Sequence, residues 1–463
     1  MTLRASSYLN QVDIGDGTTL LFNGLSMCID VAPAALADAI KREADLSCLS
    51  DVERRHLIDR GHLTDLSPAQ EREEFRKTID FISARVKQTN KRRSSASVTF
   101  VLTFDCNLAC TYCFQAPVSQ RLRRHVMTSE LVDDFFANGF PRLFPNRLKK
   151  SLFTLFGGEP LLPKNRAAIE RILAHVEKFP SARVNVATNA TTLPRMIDLI
   201  GPEKGKIQSV QITLDGDQPF HDQHRIPHNG RPTFDLMHKA IGRVVDEAKA
   251  DVAIRIHLHP HRLQSAEQLV QRLDREGLLA HPNIYVYFSP LNSYGADQQT
   301  AEDVEIFERI FQHVATKSGR APSHLLYMNS FLHMQGKKEL PTVRYCGLGS
   351  GGFYTIDPLG GVYQCYDEAG DSSRRVASLV DGKLEFFALK DEYARRTLDN
   401  LPGCLDCSLA IFCGGGCPLR AKDATGSIFA PHCQLNKEFI RQTLKAYYLR
   451  QAAAAGDEFP ANG

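Results

Sequence analysis

Cys106, Cys110 and Cys113 spell C-x3-C-x2-C within the run Thr103-Phe104-Asp105-Cys106-Asn107-Leu108-Ala109-Cys110-Thr111-Tyr112-Cys113. Thiolates packed this tightly on one loop tie the backbone to a metal centre, so they constrain the fold more than any other feature. Their number and spacing suit three irons of a [4Fe–4S] cluster and leave the fourth iron without a protein ligand. Clusters that only carry electrons usually have four protein ligands. A missing ligand points to a small molecule bound at that iron. Zinc is the plain alternative, but structural zinc prefers four ligands in paired C-x2-C units.

The 463-residue chain is long enough for two or three domains. A hydrophobic content of 43% fills ordinary cores, and a formal net charge of +3 gives no reason to expect nucleic acid as a partner. No apolar run approaches a membrane span, and the N-terminus lacks an apolar signal core. A cytoplasmic protein with no membrane partner is expected. Twelve cysteines in such a chain argue for metal or redox chemistry over disulfides. Cys28 and Cys48 stand apart from the motif-like groups and read as small buried apolar residues.

Residues 1–90 read as a small α+β unit. Apolar segments Tyr8–Ile14 and Thr19–Val31 flank the turn Gly15-Asp16-Gly17. Helical patterns follow at Ala34–Ala44, Asp51–Asp59 and Pro68–Val86, then a polar, basic linker at Asn90–Ser95. Residues 97–300 alternate strands (Val98–Phe104, Ser151–Phe156, Arg183–Thr188, Gln208–Leu214, Val252–His259, Ile284–Ser289) with helices (Ser129–Asn138, Arg166–Lys178, Leu193–Ile200, Phe234–Ala248, Ala266–Glu276). This pattern implies parallel βαβ units and an α/β fold, a partial (β/α)6 TIM-like barrel. Sites in such barrels sit at the C-terminal ends of the strands, where the three-cysteine loop falls. A helical bridge at 301–345 leads to a glycine- and cysteine-rich domain at 346–450. That domain has a strand at Gly352–Asp357 and a last helix at Asn436–Tyr448. Residues 451–463 read as a mobile tail.

The cysteine loop, the aromatic Tyr112 before its last cysteine and the strand leading into it resemble the radical S-adenosylmethionine (SAM) superfamily. The second strand ends in Gly157-Gly158-Glu159-Pro160. In that superfamily this motif meets the amino group of the SAM methionine moiety, with Glu159 supplying an acceptor. The resemblance further implies ribose and carboxylate contacts from Asn189 and Thr213, with Asp215 a further candidate, and places Tyr112 near the adenine. Alone, these residues would read as turns and helix caps.

A second set comprises Cys346, Cys365, the array Cys404, Cys407, Cys413 and Cys417 with C-x2-C-x5-C-x3-C spacing, and Cys433. It resembles the SPASM domain, which carries auxiliary iron–sulfur clusters and brings the total to three [4Fe–4S] clusters. Zinc competes here through the Cys404/Cys407 knuckle. By resemblance, Cys404, Cys407, Cys413 and Cys433 hold one cluster, and Cys346, Cys365 and Cys417 hold the other. The second is one ligand short. Its last iron is expected to be open toward the substrate cavity or to take a non-cysteine ligand such as Asp357.

The resemblance implies SAM cleavage to methionine and a 5′-deoxyadenosyl radical, hydrogen abstraction from an unactivated C–H bond, and electron transfer to the auxiliary clusters. Relatives often place a carboxylate just after the second cysteine of this domain. In Cys365-Tyr366-Asp367-Glu368 the candidate base Asp367 is displaced by one, and it also reads as a surface turn residue. The leading expectation is a maturase that forms C–C or C–S crosslinks in a ribosomally made precursor peptide. A flavodoxin or ferredoxin would be its reductant. The N-terminal unit resembles a winged-helix leader-recognition element, the alternative being a structural cap. The basic loop Arg121-Leu122-Arg123-Arg124-His125 would suit an acidic leader, or is solvated charge. Oxidation of a Cys or Ser on a whole protein, as in anaerobic sulfatase maturation, and a small-molecule dehydrogenase are the other enzyme readings. A plain electron carrier would need neither the Gly-Gly-Glu-Pro strand end nor a large barrel.

Overall fold

Gly15, Asp16 and Gly17 all take left-handed φ values of 92°, 54° and 72°, a reversal that glycine makes cheap. In the computed structural model, which describes residues 3–42, 49–92, 95–145, 150–259, 262–290, 301–320, 330, 334, 341–433 and 437–454, this turn joins two strands of a small sheet. After the two-residue strand β1 (Arg4–Ala5) come β2 (Leu9–Gly15), β3 (Thr18–Asn23) and β4 (Cys28–Pro33), paired antiparallel in that order. The stretch expected as one apolar segment, Thr19–Val31, is therefore two strands. The Asn23 side chain accepts from the Leu25 and Ser26 amides at 2.8 and 3.0 Å, and Met27 takes a φ of 59°. The apolar Leu25 and Met27 disguise this second turn.

Helix α1 (Ala34–Lys41) is followed by α2 (Asp51–Asp59), which Ser50 and Glu53 cap reciprocally. Strand β5 (Leu63–Thr64) pairs with β1. Helix α3 runs from Pro68 to Arg92, so the first half of the expected linker, Asn90–Arg92, is the end of a helix. Cys28 is half-buried rather than buried, and Cys48 lies outside the described residues.

The barrel strands are β6 (Ser95–Val101), β7 (Lys150–Phe156), β8 (Ala182–Thr188), β9 (Ser209–Thr213), β10 (Asp251–Leu258) and β11 (Ile284–Pro290). They are parallel neighbours in sequence order. Alternate residues Val98, Phe100, Phe153, Leu155, Val184, Val186, Val210, Ile212, Ile254 and Ile256 are fully buried, the period-2 signature of one core-facing side. Helices Arg166–Val176 and Leu263–Arg275 cross between strands as expected. The expected helix Leu193–Ile200 is instead two 3-10 turns, Leu193–Arg195 and Ile197–Leu199. Pro194 removes an amide there, and the run is too short to recover a regular helix.

Past helix Ala301–Ser318, the chain adds β12 (Phe353–Ile356) in parallel beside β6. Antiparallel β13 (Gly361–Tyr363), β14 (Ala377–Val380) and β15 (Lys383–Phe386) follow. One ten-stranded sheet, ordered β11-β10-β9-β8-β7-β6-β12-β13-β14-β15, thus joins the barrel to the cysteine-rich segment. The last helix spans Lys437–Ala454, so the start of the expected mobile tail is helical; residues 455–463 lie outside the described residues. Among the described residues no helix is long and apolar enough to cross a membrane.

Candidate functional site

The loop leaving β6 carries Cys106, Cys110 and Cys113, none of them in a disulfide. It is clamped to the end of β7: the Gly158 amide donates to Thr103 O and the Glu159 amide to Asp105 O, both at 2.8 Å. A Cβ on Gly158 would sit 2.2 Å from Asp105 O, and one on Gly157, at φ 144°, 2.4 Å from Thr103 O. These glycines let two backbones touch, so their nearest partner is the cysteine loop itself.

Glu159 is fully buried. Its carboxylate accepts from the Thr188 hydroxyl at 2.6 Å, the Asn189 amide at 2.7 Å and the Leu161 amide at 2.8 Å. Burial pushes its pKa up, and these hydrogen bonds pull against that. Asn189 extends the brace: its Nδ2 donates to Asn107 Oδ1 at 2.9 Å and to Cys106 Sγ at 3.7 Å. Burial pushes the Cys106 thiol up to about 12, with Glu159, Cys110 and Cys113 adding to it. The three sulfurs therefore share one neighbourhood. The Leu108 amide also donates to Cys106 Sγ, at 3.4 Å. Such donors suit a sulfur that carries anionic charge, as a metal-bound thiolate does.

Beside the loop lies a buried polar network that sequence reading reached only through Tyr112 and Asp215. The Tyr112 hydroxyl donates to Asp215 and accepts from Arg225 Nη1 at 2.7 Å. Asp215, fully buried, has His257 Nδ1 at 2.9 Å and Arg225 Nη1 at 3.7 Å. Burial alone would raise its pKa, but His257, Arg225 and Tyr112 outweigh that and hold it well below the usual carboxylate range. The Asp215 amide donates to His221 Nδ1 at 3.2 Å. Burial depresses His221 to about 3 and His259 to about 4. Thr213 ends β9 just before this network and is buried. A signal did exist: His257 in β10 and His259 just past its end are two residues apart, and both rings lie against Tyr112, with centroids 5.1 and 5.5 Å away.

The second cysteine set divides by proximity. Burial pushes Cys346 up to about 12, with Cys417 adding, and Cys346 in turn acts on Cys365. Cys404, also pushed to about 12 by burial, feels Cys413, Cys407 and Cys433. Cys413 and Cys417 fall on different sides because Gly414, Gly415 and Gly416 reverse the chain at φ 63°, 81° and 74°. Asp357 does not fit a ligand role. Its Oδ1 accepts from the Leu359 and Gly361 amides at 2.9 Å, and its Oδ2 from the Tyr363 hydroxyl at 2.8 Å. It braces the β12–β13 turn.

Asp367 is largely buried and lies 3.7 Å from Arg420. Burial raises its pKa, and Arg420 and Arg255 oppose that. Tyr366 packs its ring 4.8 Å from Phe156 and 6.2 Å from Phe114, the residue after Cys113. The Cys365 turn therefore borders the first cysteine loop. In the basic loop, Arg123 lies 3.3 Å from Asp105, so part of its charge is already used.

A run of parallel strands, three cysteines after its first and a glycine–glutamate clamp after its second make up the site, and residues 100–273 match the family model described as the Radical SAM superfamily. Over 378 residues the chain is 20% identical to the radical SAM cyclopropyl synthase TigE of Paramaledivibacter caminithermalis, covering 78% of this chain and 76% of the relative. It is 24% identical over 346 residues to the mycofactocin maturase MftC of Mycolicibacterium smegmatis, covering 71% and 79%. The solved structure of anSMEcpe with bound AdoMet superposes with a TM-score of 0.59 at 15% identity, over 78% of this chain and 96% of that one.

Proposed function

We propose that the protein is a radical SAM maturase that oxidatively crosslinks a side chain of a ribosomally made precursor peptide through C–C or C–S bonds. The observation that carries this reading is that the Cys365 turn, part of a second cysteine array, abuts the first cysteine loop through Tyr366 and Phe114. In this reading one catalytic mouth has a site for generating a radical and a neighbouring site for receiving an electron. Similarity to a maturase and to a cyclopropyl synthase supports it.

In this reading Cys106, Cys110 and Cys113 hold a [4Fe–4S] cluster. Gly157, Gly158, Asn189, Thr213 and Tyr112 form the SAM cradle, and Glu159 fixes it. Bound there, SAM and cluster supply a 5′-deoxyadenosyl radical able to take hydrogen from an unactivated C–H bond. The barrel wall holds the target carbon and excludes water. Asp367, its pKa raised by burial, takes the proton released on oxidation. Cys404, Cys407, Cys413 and Cys433 hold one SPASM-type auxiliary cluster, and Cys346, Cys365 and Cys417 the other. The N-terminal unit, a three-stranded sheet followed by three helices, presents the peptide leader. A flavodoxin or ferredoxin supplies the electron.

The test is anaerobic incubation of reconstituted protein with SAM, dithionite and synthetic peptides encoded beside its reading frame. Expected are 5′-deoxyadenosine and a peptide lighter by two hydrogens. Modification of a Cys or Ser in a folded protein but of no peptide would move the assignment to the sulfatase-maturation type. No 5′-deoxyadenosine from the reduced protein would end both readings.

A further inference from the structure

Two auxiliary clusters with four ligands each need one more ligand than the seven cysteines supply, and Asp357 is committed elsewhere. Glu368 stands beside the deficient set. Tyr366–Glu368 is a single 3-10 turn in which the Glu368 amide donates to Cys365 O at 3.2 Å. That bond folds the backbone of Glu368 back onto Cys365, three residues earlier. Its side chain is 1% exposed. One carboxylate oxygen accepts the Tyr393 hydroxyl. The other, Oε2, is buried and has no hydrogen-bond partner among the described residues. A buried acceptor left unpaired costs about 1–3 kcal/mol, and Arg374 and Lys422 offset its charge only from a distance. The charge of Glu368 acts on both Cys346 and Cys365. Asp367 also acts on Cys365 and Cys417, but its carboxylate is already paired with Arg420 at 3.7 Å.

We propose that Glu368 is the eighth protein ligand, its Oε2 closing the iron that Cys346, Cys365 and Cys417 leave open. This rests on the reading that those cysteines hold a cluster. Tyr393 would then fix the free oxygen, as outer hydrogen bonds commonly orient metal-bound carboxylates. The cluster so closed accepts electrons and does not bind substrate.

The test compares reconstituted wild-type, E368Q and D367N holoenzymes by iron and sulfide content and by electron paramagnetic resonance after mild oxidation. Glutamine keeps the size and the Tyr393 contact but cannot bind as an anion. E368Q should lose one more iron per chain than wild type and D367N and show a second [3Fe–4S] signal beyond the one that the open iron of the first cysteine loop gives in all three. Unchanged iron and spectrum in E368Q, or the loss appearing in D367N instead, would overturn the assignment. Should E368Q fail to assemble, wild-type protein grown on 13C-glutamate decides. A carboxylate on iron gives a resolved 13C coupling in the reduced auxiliary cluster, and no coupling refutes it. Wild type holding no more iron than a C346A/C365A variant would instead remove the cluster reading itself.

Discussion

Glu159 shows how much a single residue can mean beyond its motif. Gly-Gly-Glu-Pro was legible as a strand end, β7 closing at Phe156 just before it. Spacing could not reveal that the carboxylate is spent on Thr188, Asn189 and Leu161. Removing it strands three buried donors, each worth about 1–3 kcal/mol. E159A should therefore lower stability by about 3 kcal/mol or more in urea titration and reduce iron at the first loop, and E159Q should cost less. The first cysteine motif stood out because Cys106, Cys110 and Cys113 are near one another in sequence. Arg225 and His257 did not, because Tyr112 meets Arg225 across 113 residues and Asp215 meets His257 across 42.

His221 adds a pH dependence. Burial depresses its folded pKa to about 3 from the ordinary imidazole value of 6.5. The unfolded chain therefore binds a proton that the folded one refuses. Stability is complete above the unfolded value and falls as the pH drops from about 6.5 toward 3. At about 1.4 kcal/mol per pH unit, lowering the pH from 6.5 to 5 should cost about 2 kcal/mol through this residue. H221N keeps an acceptor for the Asp215 amide and should flatten that slope; an unchanged slope would place the titration elsewhere.

At the scale of elements, strand alternation was legible because period-2 burial is local. Turns hidden by apolar residues, such as the one between β3 and β4, were not. The glycines of the β7 end were legible as glycines but not as a contact between loops. G158A brings a Cβ to 2.2 Å from Asp105 O and 2.8 Å from Phe104 O, both backbone atoms that cannot rotate away. This variant should displace the cysteine loop and lower the iron bound at Cys106, Cys110 and Cys113, with the second cysteine set unaffected. Gly352 meets nothing closer than 3.7 Å, so G352A should load like wild type.

Across the whole molecule, the N-terminal unit is docked on the second cysteine array. Its small sheet has two apolar faces, which a period-2 strand provides. Leu21 packs in a local cluster with Ala37, Ile40 and Leu57. Leu20 and Phe22 join the main core together with Leu405, Leu409 and Phe412. Phe22 meets Phe412 edge-on with centroids 5.4 Å apart. The Tyr8 hydroxyl donates to Leu405 O. Asn10 Nδ2 donates to Ser408 O at 3.1 Å and its Oδ1 accepts the Ser408 hydroxyl at 2.9 Å. All these partners lie between Cys404 and Cys413. Sequence could suggest a separate unit but not its dock, since nearly 400 residues intervene. F22A should cost about 3–5 kcal/mol, and the F22A/F412A double-mutant cycle should show a coupling of about 0.5–1.5 kcal/mol. If the dock shapes the array, F22A will also lower iron at Cys404, Cys407, Cys413 and Cys433 while the radical SAM loop stays loaded. Equal loss at both sites would mean general unfolding, and no loss at either would mean that the array folds without its N-terminal support.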